Sequence, residues 1–330
     1  MTISTDAYAV LLPAIGDLTL TEPLARYLDE GGVALLIGET REEYLARRMS
    51  DTRRATETAD DLKALIGEVR RRAGRALIAL DQEPAGIARL HALVPEFPDR
   101  ATLHRMPDAE IEALSAEVAQ AAREIGVSMF LSPVLDVVSG ANPWLEGRHL
   151  GADPAEVARI TSAYIRGVEG AGIISVAKHY PGHHDIDGDP AIDIATVTDD
   201  KAALERGLLP FRAAIEARGR AVMTGPALVP ALDPDMPSSL SGKTIASLRD
   251  LGFTGLVVSD DLDAIGTLRG QRDVPTAAVE ALNAGADLLL LSAENHLPAI
   301  RDRIVAAVED GTLSAARLAE AAARVRALAG

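Results

Sequence analysis

The sequence predicts an α/β fold, a (β/α)8 barrel in a single domain spanning residues 1–330. Three features lead there. Short apolar runs recur along the chain; longer amphipathic segments separate them; several runs release ionisable residues at their C-terminal ends. The runs are Tyr8–Leu12, Val33–Ile37, Ala76–Leu80, Ser128–Leu131, Ile173–Val176, Ala221–Met223, Leu256–Val258 and Leu288–Leu291, eight in all, most of them bounded by Gly, Pro or Asp. Between them, Glu42–Arg54, Asp108–Ile125, Asp153–Glu169, Asp200–Ala217, Val274–Ala284 and Leu297–Ala307 repeat apolar residues at three and four positions, the helical spacing. Strand and helix in alternation build a parallel sheet. Eight such units close a barrel. An open doubly wound sheet fits less well, because no GxGxxG follows the early strands. Leu93–Arg105 reads as an insertion between strand and helix, and Leu313–Gly330 as a helix closing the outer layer.

Composition narrows the function. With no Cys, disulfide frameworks, thiolate metal sites and Cys nucleophiles drop out. The formal charge of −16 opposes binding to nucleic acid or anionic lipid, so neither partner is expected. Met1–Ala7 has no basic segment leading into a cleavage site, and no apolar stretch approaches the roughly 18–20 residues of a membrane span. A soluble cytoplasmic protein is the simplest expectation. Aromatic residues are 3% of the chain and Trp144 is its one tryptophan, which favours a small pocket-bound ligand over a polysaccharide laid along an aromatic cleft.

The strand ends carry the chemistry. Asp81 follows Ala76–Leu80, Asp136 follows Leu131–Leu135, Lys178 and His179 follow Val176, and Asp260 follows Val258. In a barrel all of these lie at the C-terminal mouth, where catalysis is sited. A lone Asp after a strand is more often the cap of the next helix. Their convergence on one face argues for a site instead.

Four ordered motifs carry a family resemblance. Asp81-Gln82-Glu83-Pro84-Ala85-Gly86-Ile87-Ala88-Arg89 resembles the DQEGGxVxR segment of family 3 glycoside hydrolases of the β-N-acetylhexosaminidase type. Asn142 to Gly151 is similar to that family's NPxxxxRxFG, and Lys178 to Asp185 to KHFPGHGD. Pro237 to Ser241, followed by Leu251 to Leu262, is similar to PASLS…LGFxGVVxSDDL. The resemblance runs in order from about Leu11 to Leu291. It implies a retaining glycosidase acting on a small-molecule glycoside. Asp260 matches the nucleophile, and Asp81, Arg89, Arg148, Lys178 and His179 match the conserved polar positions of the sugar site. It implies no cofactor; a metal held by His179, His183, His184 and Asp185 is set aside, because the motif accounts for His179 and His183 without one. The oligomeric state is not legible.

The departures from the pattern matter as much. The proton donor of this subgroup is the His of a D-S-H triplet, and that triplet falls here on Asp189-Pro190-Ala191. Pro84-Ala85 replaces Gly-Gly, Pro226 stands where a His is usual, and Ala264 where a Met is usual. Three expectations stay open. Another side chain donates the proton, with His184 first and Asp185, Asp187 and Asp189 in the same loop. Or the substrate carries an activated leaving group, as in a biosynthetic or phosphorolytic reaction. Or the protein is an inactive relative that binds a sugar.

Overall fold

Ten strands form in the computed structural model, which describes residues 2–329: β1 (Leu11–Ile15), β2 (Ala34–Ile37), β3 (Leu77–Leu80), β4 (Met129–Phe130), β5 (Ile174–Tyr180), β6 (Ala221–Thr224), β7 (Leu228–Val229), β8 (Asp233–Pro237), β9 (Leu256–Ser259) and β10 (Leu289–Ser292). Eight make one parallel sheet in the order β10-β1-β2-β3-β4-β5-β6-β9. A bridge between Val258 and Leu288 brings β9 back to β10, and the Ser259 N–H donates to the Leu288 carbonyl at 2.9 Å. The sheet is thereby a barrel, wrapped by helices.

The strands divide their residues by parity. Leu12, Leu36, Leu77, Ala79, Met129, Ile174, Val176, Ala221, Met223, Leu256, Val258 and Leu290 form the interior cluster. Their neighbours Leu11, Leu35, Ile78, Leu80, Phe130, Ala177, Val222, Val257, Leu289 and Leu291 belong to the cluster shared with the helices. This is the period-two alternation of a strand with both faces buried. Carried one step beyond the apolar run, the inward parity of β3 falls on Asp81, that of β5 on Lys178 and that of β9 on Asp260. At the other mouth, Val325 and Leu328 of the last helix, Ala315–Leu328, and its C-cap Ala329 pack with the interior cluster. That helix is tied to the first one, Ile3–Ala9, by Arg326 and Asp6 at 2.6 Å.

Local chemistry sets the helix limits. Thr58 and Asp61 cap the helix Ala59–Ala73 reciprocally, and Asp153 caps Pro154–Gly170 with Pro at the first turn. Gly126, at φ 113°, ends Asp108–Ile125 in the left-handed conformation. Several expected boundaries move. Tyr8 and Ala9 belong to the first helix, so the first strand starts at Leu11. The segment expected as one helix over 42–54 is two, Arg41–Ala46 and Asp51–Thr56, because Arg47 turns left-handed at φ 54°. The one expected over 200–217 is also two, Lys201–Gly207 and Leu209–Glu216, divided where Pro210 removes a backbone donor. The insertion at 93–105 contains the helix Arg100–Arg105. The β7–β8 hairpin, in the connection from β6 to β9, was not foreseen. Among the described residues, no helix is long and apolar enough to cross a membrane.

Candidate active site

At the C-terminal mouth the barrel opens into a cavity of about 1300 Å³, lined among others by Glu39, Tyr44, Asp81, Trp144, Arg148, Lys178, His179, Asp260 and Asp261. Four strand ends, those of β2, β3, β5 and β9, and the Asn142–Gly151 segment therefore deliver polar groups to one space. Asp81, Arg148, Lys178, His179 and Asp260, expected from the sequence as site residues, all reach it.

Four charges hold one wall. Lys178 Nζ lies 2.6 Å from Asp81 Oδ1 and 2.9 Å from Glu83 Oε1. Arg148 clasps the same Glu83 through Nη2 at 2.7 Å and Nε at 3.2 Å. Burial penalises the Glu83 charge, yet Arg148 and Lys178 more than offset it and bring its carboxyl down to about 2. Lys178 is likewise pressed by burial and raised on balance by Asp81 and Glu83. Gly86, at φ 94°, belongs to this wall: a Cβ there would stand 2.5 Å from Glu83 Oε2 and 2.8 Å from Arg148 Cγ. Of the two positions that depart from Gly-Gly, Pro84 is buried and Ala85 half-buried; Gly86, where the backbone conformation and the close neighbours demand glycine, follows them at a position the motif leaves open.

A second buried carboxylate shapes the loop after β5. Asp136 accepts from His179 Nδ1 at 2.7 Å and from the His183 amide at 2.6 Å. Burial opposes its charge, but the facing imidazoles hold it well below the usual carboxylate range. His179 thus donates Nδ1–H to Asp136 and turns Nε2 to the cavity, 3.7 Å from Asp260 Oδ2. The Trp144 ring packs on His179 with centroids 4.3 Å apart. Its Nε1 donates to the Tyr44 hydroxyl at 2.9 Å.

Asp260 stands just past β9. Its amide N–H is shared between Ser239 Oγ at 2.9 Å and the Thr224 carbonyl at 3.1 Å. Its Oδ1 accepts from the Asp261 amide at 2.7 Å. Its Oδ2 is buried and accepts no hydrogen bond from the described residues. Burial raises this carboxyl, while His179, Lys178 and Arg148 work to keep it ionised. One oxygen is thus fixed and the other left free.

Three expected residues lie elsewhere. Arg89 is fully buried behind the wall, with Nη1 and Nη2 2.5 and 2.9 Å from the Glu57 carboxylate and Nε on the Gly38 carbonyl at 2.6 Å. It spends its donors inside the protein, so it braces β2 and β3 and is not a sugar contact. His184 accepts the Val137 N–H at Nδ1, 2.8 Å away. Its ring fills the space over Gly182 and Gly207, where a Cβ would meet ring atoms at 2.3 and 1.7 Å. It is buried outside the cavity. Asp189 turns back on its own loop, accepting the Ala191 N–H at 3.0 Å and facing Arg47 at 3.5 Å. Asp185 caps the Gly140 amide at 2.7 Å, and Asp187 the Thr196 amide at 2.8 Å. Ala191, Pro226 and Ala264, the three other departures, all line the cavity. Sequence change is thus gathered on one part of its wall.

The sequence reading missed three contributors. Glu83 was legible as the third letter of its motif. Ser239 was visible in Pro237–Ser241, but not as the hydroxyl under Asp260. Glu39 follows β2 by a single glycine, much as Asp81 follows β3, and Thr40 beside it caps Arg41–Ala46. Glu39 Oε2 is buried without a partner. Burial, with Asp81 nearby, pushes this carboxyl up to about 8. Asp261 is also raised by burial and by Asp263, to about 7. Among the described residues, no group of three or more His, Asp or Glu side chains is disposed to hold a metal.

Comparison with known proteins gives a consistent result. Residues 17–328 match the sequence model of the glycosyl hydrolase family 3 N-terminal domain. A β-hexosaminidase of Methylococcus capsulatus is 31% identical over 265 residues, 77% of each chain. The β-hexosaminidase LpqI of Mycobacterium tuberculosis is 28% identical over 264 residues, 77% of this chain and 68% of that one. The solved family 3 β-N-acetylglucosaminidase of Paenibacillus superposes with a TM-score of 0.88 at 28% identity over 99% of this chain; the chain spans 62% of that protein's length.

Two outcomes follow from the placements. Arg89→Ala removes the bidentate partner of the buried Glu57 carboxylate and leaves it with Arg53 and His91, so urea unfolding should show a loss of about 3–5 kcal/mol. Glu39 binds its proton more tightly in the folded state, so it erodes stability as pH rises from its ordinary 4.5 towards about 8. Glu39→Gln should therefore unfold at the same urea concentration as the native protein at pH 4 and at a higher one at pH 8. Equal midpoints at both values would show that Glu39 ionises freely.

Proposed function

The chain belongs to glycosyl hydrolase family 3, and on that premise we propose that it hydrolyses a small β-glycoside, an N-acetylhexosaminide or a related sugar, with retention, through a glycosyl-Asp260 intermediate and without the family's usual proton donor. The observation that carries the reading is the free, buried Oδ2 of Asp260, held beside His179 in the cavity whose other wall is the Asp81–Lys178–Glu83–Arg148 cluster. A retaining glycosidase needs one carboxylate oxygen to bond the anomeric carbon while the aglycone oxygen departs with the bonding pair. The Asp261 amide on Oδ1 restricts rotation of the carboxyl, so Oδ2 is the attacking atom. Lys178 and Arg148 favour its anionic form and, with Asp81, suit a bed of sugar hydroxyls. Water then attacks the anomeric carbon, releasing one proton to solvent, and Asp260 leaves as carboxylate.

The departing oxygen must be stabilised. Ala191 offers no proton to the cavity, and His184 and the carboxylates of Asp185, Asp187 and Asp189 are engaged away from it. This supports a substrate whose leaving group bears its own negative charge, such as a phosphate or an acidic aglycone. A general acid contributes roughly 10²–10⁴-fold, and that factor should appear as leaving-group dependence.

The test is incubation with a 2-fluoro-glycoside bearing a good leaving group, followed by mass spectrometry. A mass shift on Asp260 is expected. Asp260→Ala should remain folded and lose several orders of magnitude in turnover. Nitrophenyl glycosides should be cleaved far faster than alkyl glycosides of the same sugar. Absence of labelling across N-acetylglucosaminide, glucoside and galactoside probes would identify a sugar-binding protein instead. Equal rates on nitrophenyl and alkyl substrates would show that a proton donor acts after all.

A further inference from the structure

We propose that Glu39 is a substrate-positioning residue, which joins Asp81, Lys178 and Arg148 in holding the sugar and hydrogen-bonds one of its ring hydroxyls. The inference rests on the sugar-site reading above and extends it to a residue that none of the four family-like motifs contains.

Geometry supplies the first argument. Glu39 leaves the end of β2, next to β3, whose end delivers Asp81. Both residues line the same cavity. The backbone on either side of Glu39 is clamped. The Gly38 N–H donates to the Ile15 carbonyl at 2.9 Å, and its carbonyl accepts from Arg89 Nε at 2.6 Å. On the other side Thr40 is locked in a reciprocal cap with Glu43. Arg89, excluded from the pocket, thereby fixes the strand end from which Glu39 reaches it.

Hydrogen bonding supplies the second. Oε2 of Glu39 is buried and has no partner among the described residues. Asp81, Glu83, Lys178 and Arg148 are paired with one another at 2.6–2.9 Å. A buried carboxyl oxygen left open in a polar cavity is costly unless a ligand completes it.

Charge supplies the third. Glu39 faces Asp81, Arg148, Lys178 and Glu83. Two cations there already match two carboxylates, so a third negative charge has no counterpart. Glu39 is accordingly a neutral acid near pH 7, able to donate its O–H to one sugar oxygen and to accept from another. Asp260 is influenced instead by His179 and the Asp261 amide together with Lys178 and Arg148. Glu39, at the end of the strand beside the one that delivers Asp81, is therefore placed with the hydroxyl-holding wall. A polar group of this kind discriminates strongly against a sugar lacking the matching hydroxyl, because the group is then left unpaired.

The experiment measures binding of N-acetylglucosamine and its 3-, 4- and 6-deoxy derivatives by calorimetry to the native protein, Glu39→Ala and Glu39→Gln. Glu39→Ala should weaken the parent sugar about 10- to 100-fold, the equivalent of one buried hydrogen bond. Glu39→Gln should recover most of that loss at pH 6. Above pH 8 the native protein should lose affinity and Glu39→Gln should not. One deoxy sugar should bind native protein and Glu39→Ala alike, identifying the hydroxyl. Equal affinity of Glu39→Ala and native protein for all four sugars overturns the proposal. So does an equal loss on all four, or no binding of the parent sugar to the native protein at millimolar concentration. If Glu39→Ala instead selectively slows alkyl over nitrophenyl glycosides, Glu39 is a proton donor and the positioning role falls. Failure of Asp260 labelling with the hydroxyl-specific loss intact removes the hydrolase reading alone.

Discussion

The buried knot of Asp81, Lys178, Glu83 and Arg148 is the constraint on which the mouth of the barrel depends. Four charges drawn out of water are tolerated because each has an opposite charge within hydrogen-bonding distance. Those charges come from the ends of β3 and β5 and from the Asn142–Gly151 segment, so their pairing fixes three separate parts of the chain against one another. Truncating Lys178 leaves Asp81 without its counter-charge, and truncating Glu83 leaves Arg148 without its own. The wall is therefore rigid before any ligand arrives, the condition a binding site needs to hold hydroxyls at defined positions.

Asp136 plays a parallel role one layer away. It gathers an imidazole and two amides from a loop made of Lys178 to His183, and in doing so decides which nitrogen of His179 faces the cavity. Ser239 does the same for Asp260 by accepting its amide hydrogen. Neither group needs to touch a sugar. Both set the direction in which a neighbouring group points, and a carboxylate oxygen free to attack is useful only in one direction.

Against these fixed parts, one stretch of wall has been rewritten. Ala191, Pro226 and Ala264 contribute no proton and no charge. The loop that carries Ala191 is nonetheless anchored, by Arg47 on Asp189 at 3.5 Å and by the Gly266 N–H on the Pro190 carbonyl at 2.8 Å. Glu39 brings to the same cavity a carboxyl raised by burial, an acid that costs stability near neutral pH and is the kind of group found at functional sites.

The sequence by itself determined the barrel. Eight apolar runs alternating with helical segments leave few other ways to bury both faces of a parallel sheet, and the four ordered motifs picked out Asp81, Arg148, Lys178, His179 and Asp260, which line one cavity. Strand parity even carried the inward direction of Asp81, Lys178 and Asp260, since each stands two residues beyond an interior side chain. What parity cannot carry is direction after the strand has ended. Arg89, His184 and Asp189 sit in loops, and there a side chain goes where its hydrogen bonds and the packing room are: Arg89 to Glu57, His184 to the gap over two glycines, Asp189 to its own turn and Arg47. Those partners lie up to 142 residues away in the chain. Only the tertiary structure brings them together, and only it turned Glu39, which reads locally as the residue before a helix cap, into a buried acid beside Asp81.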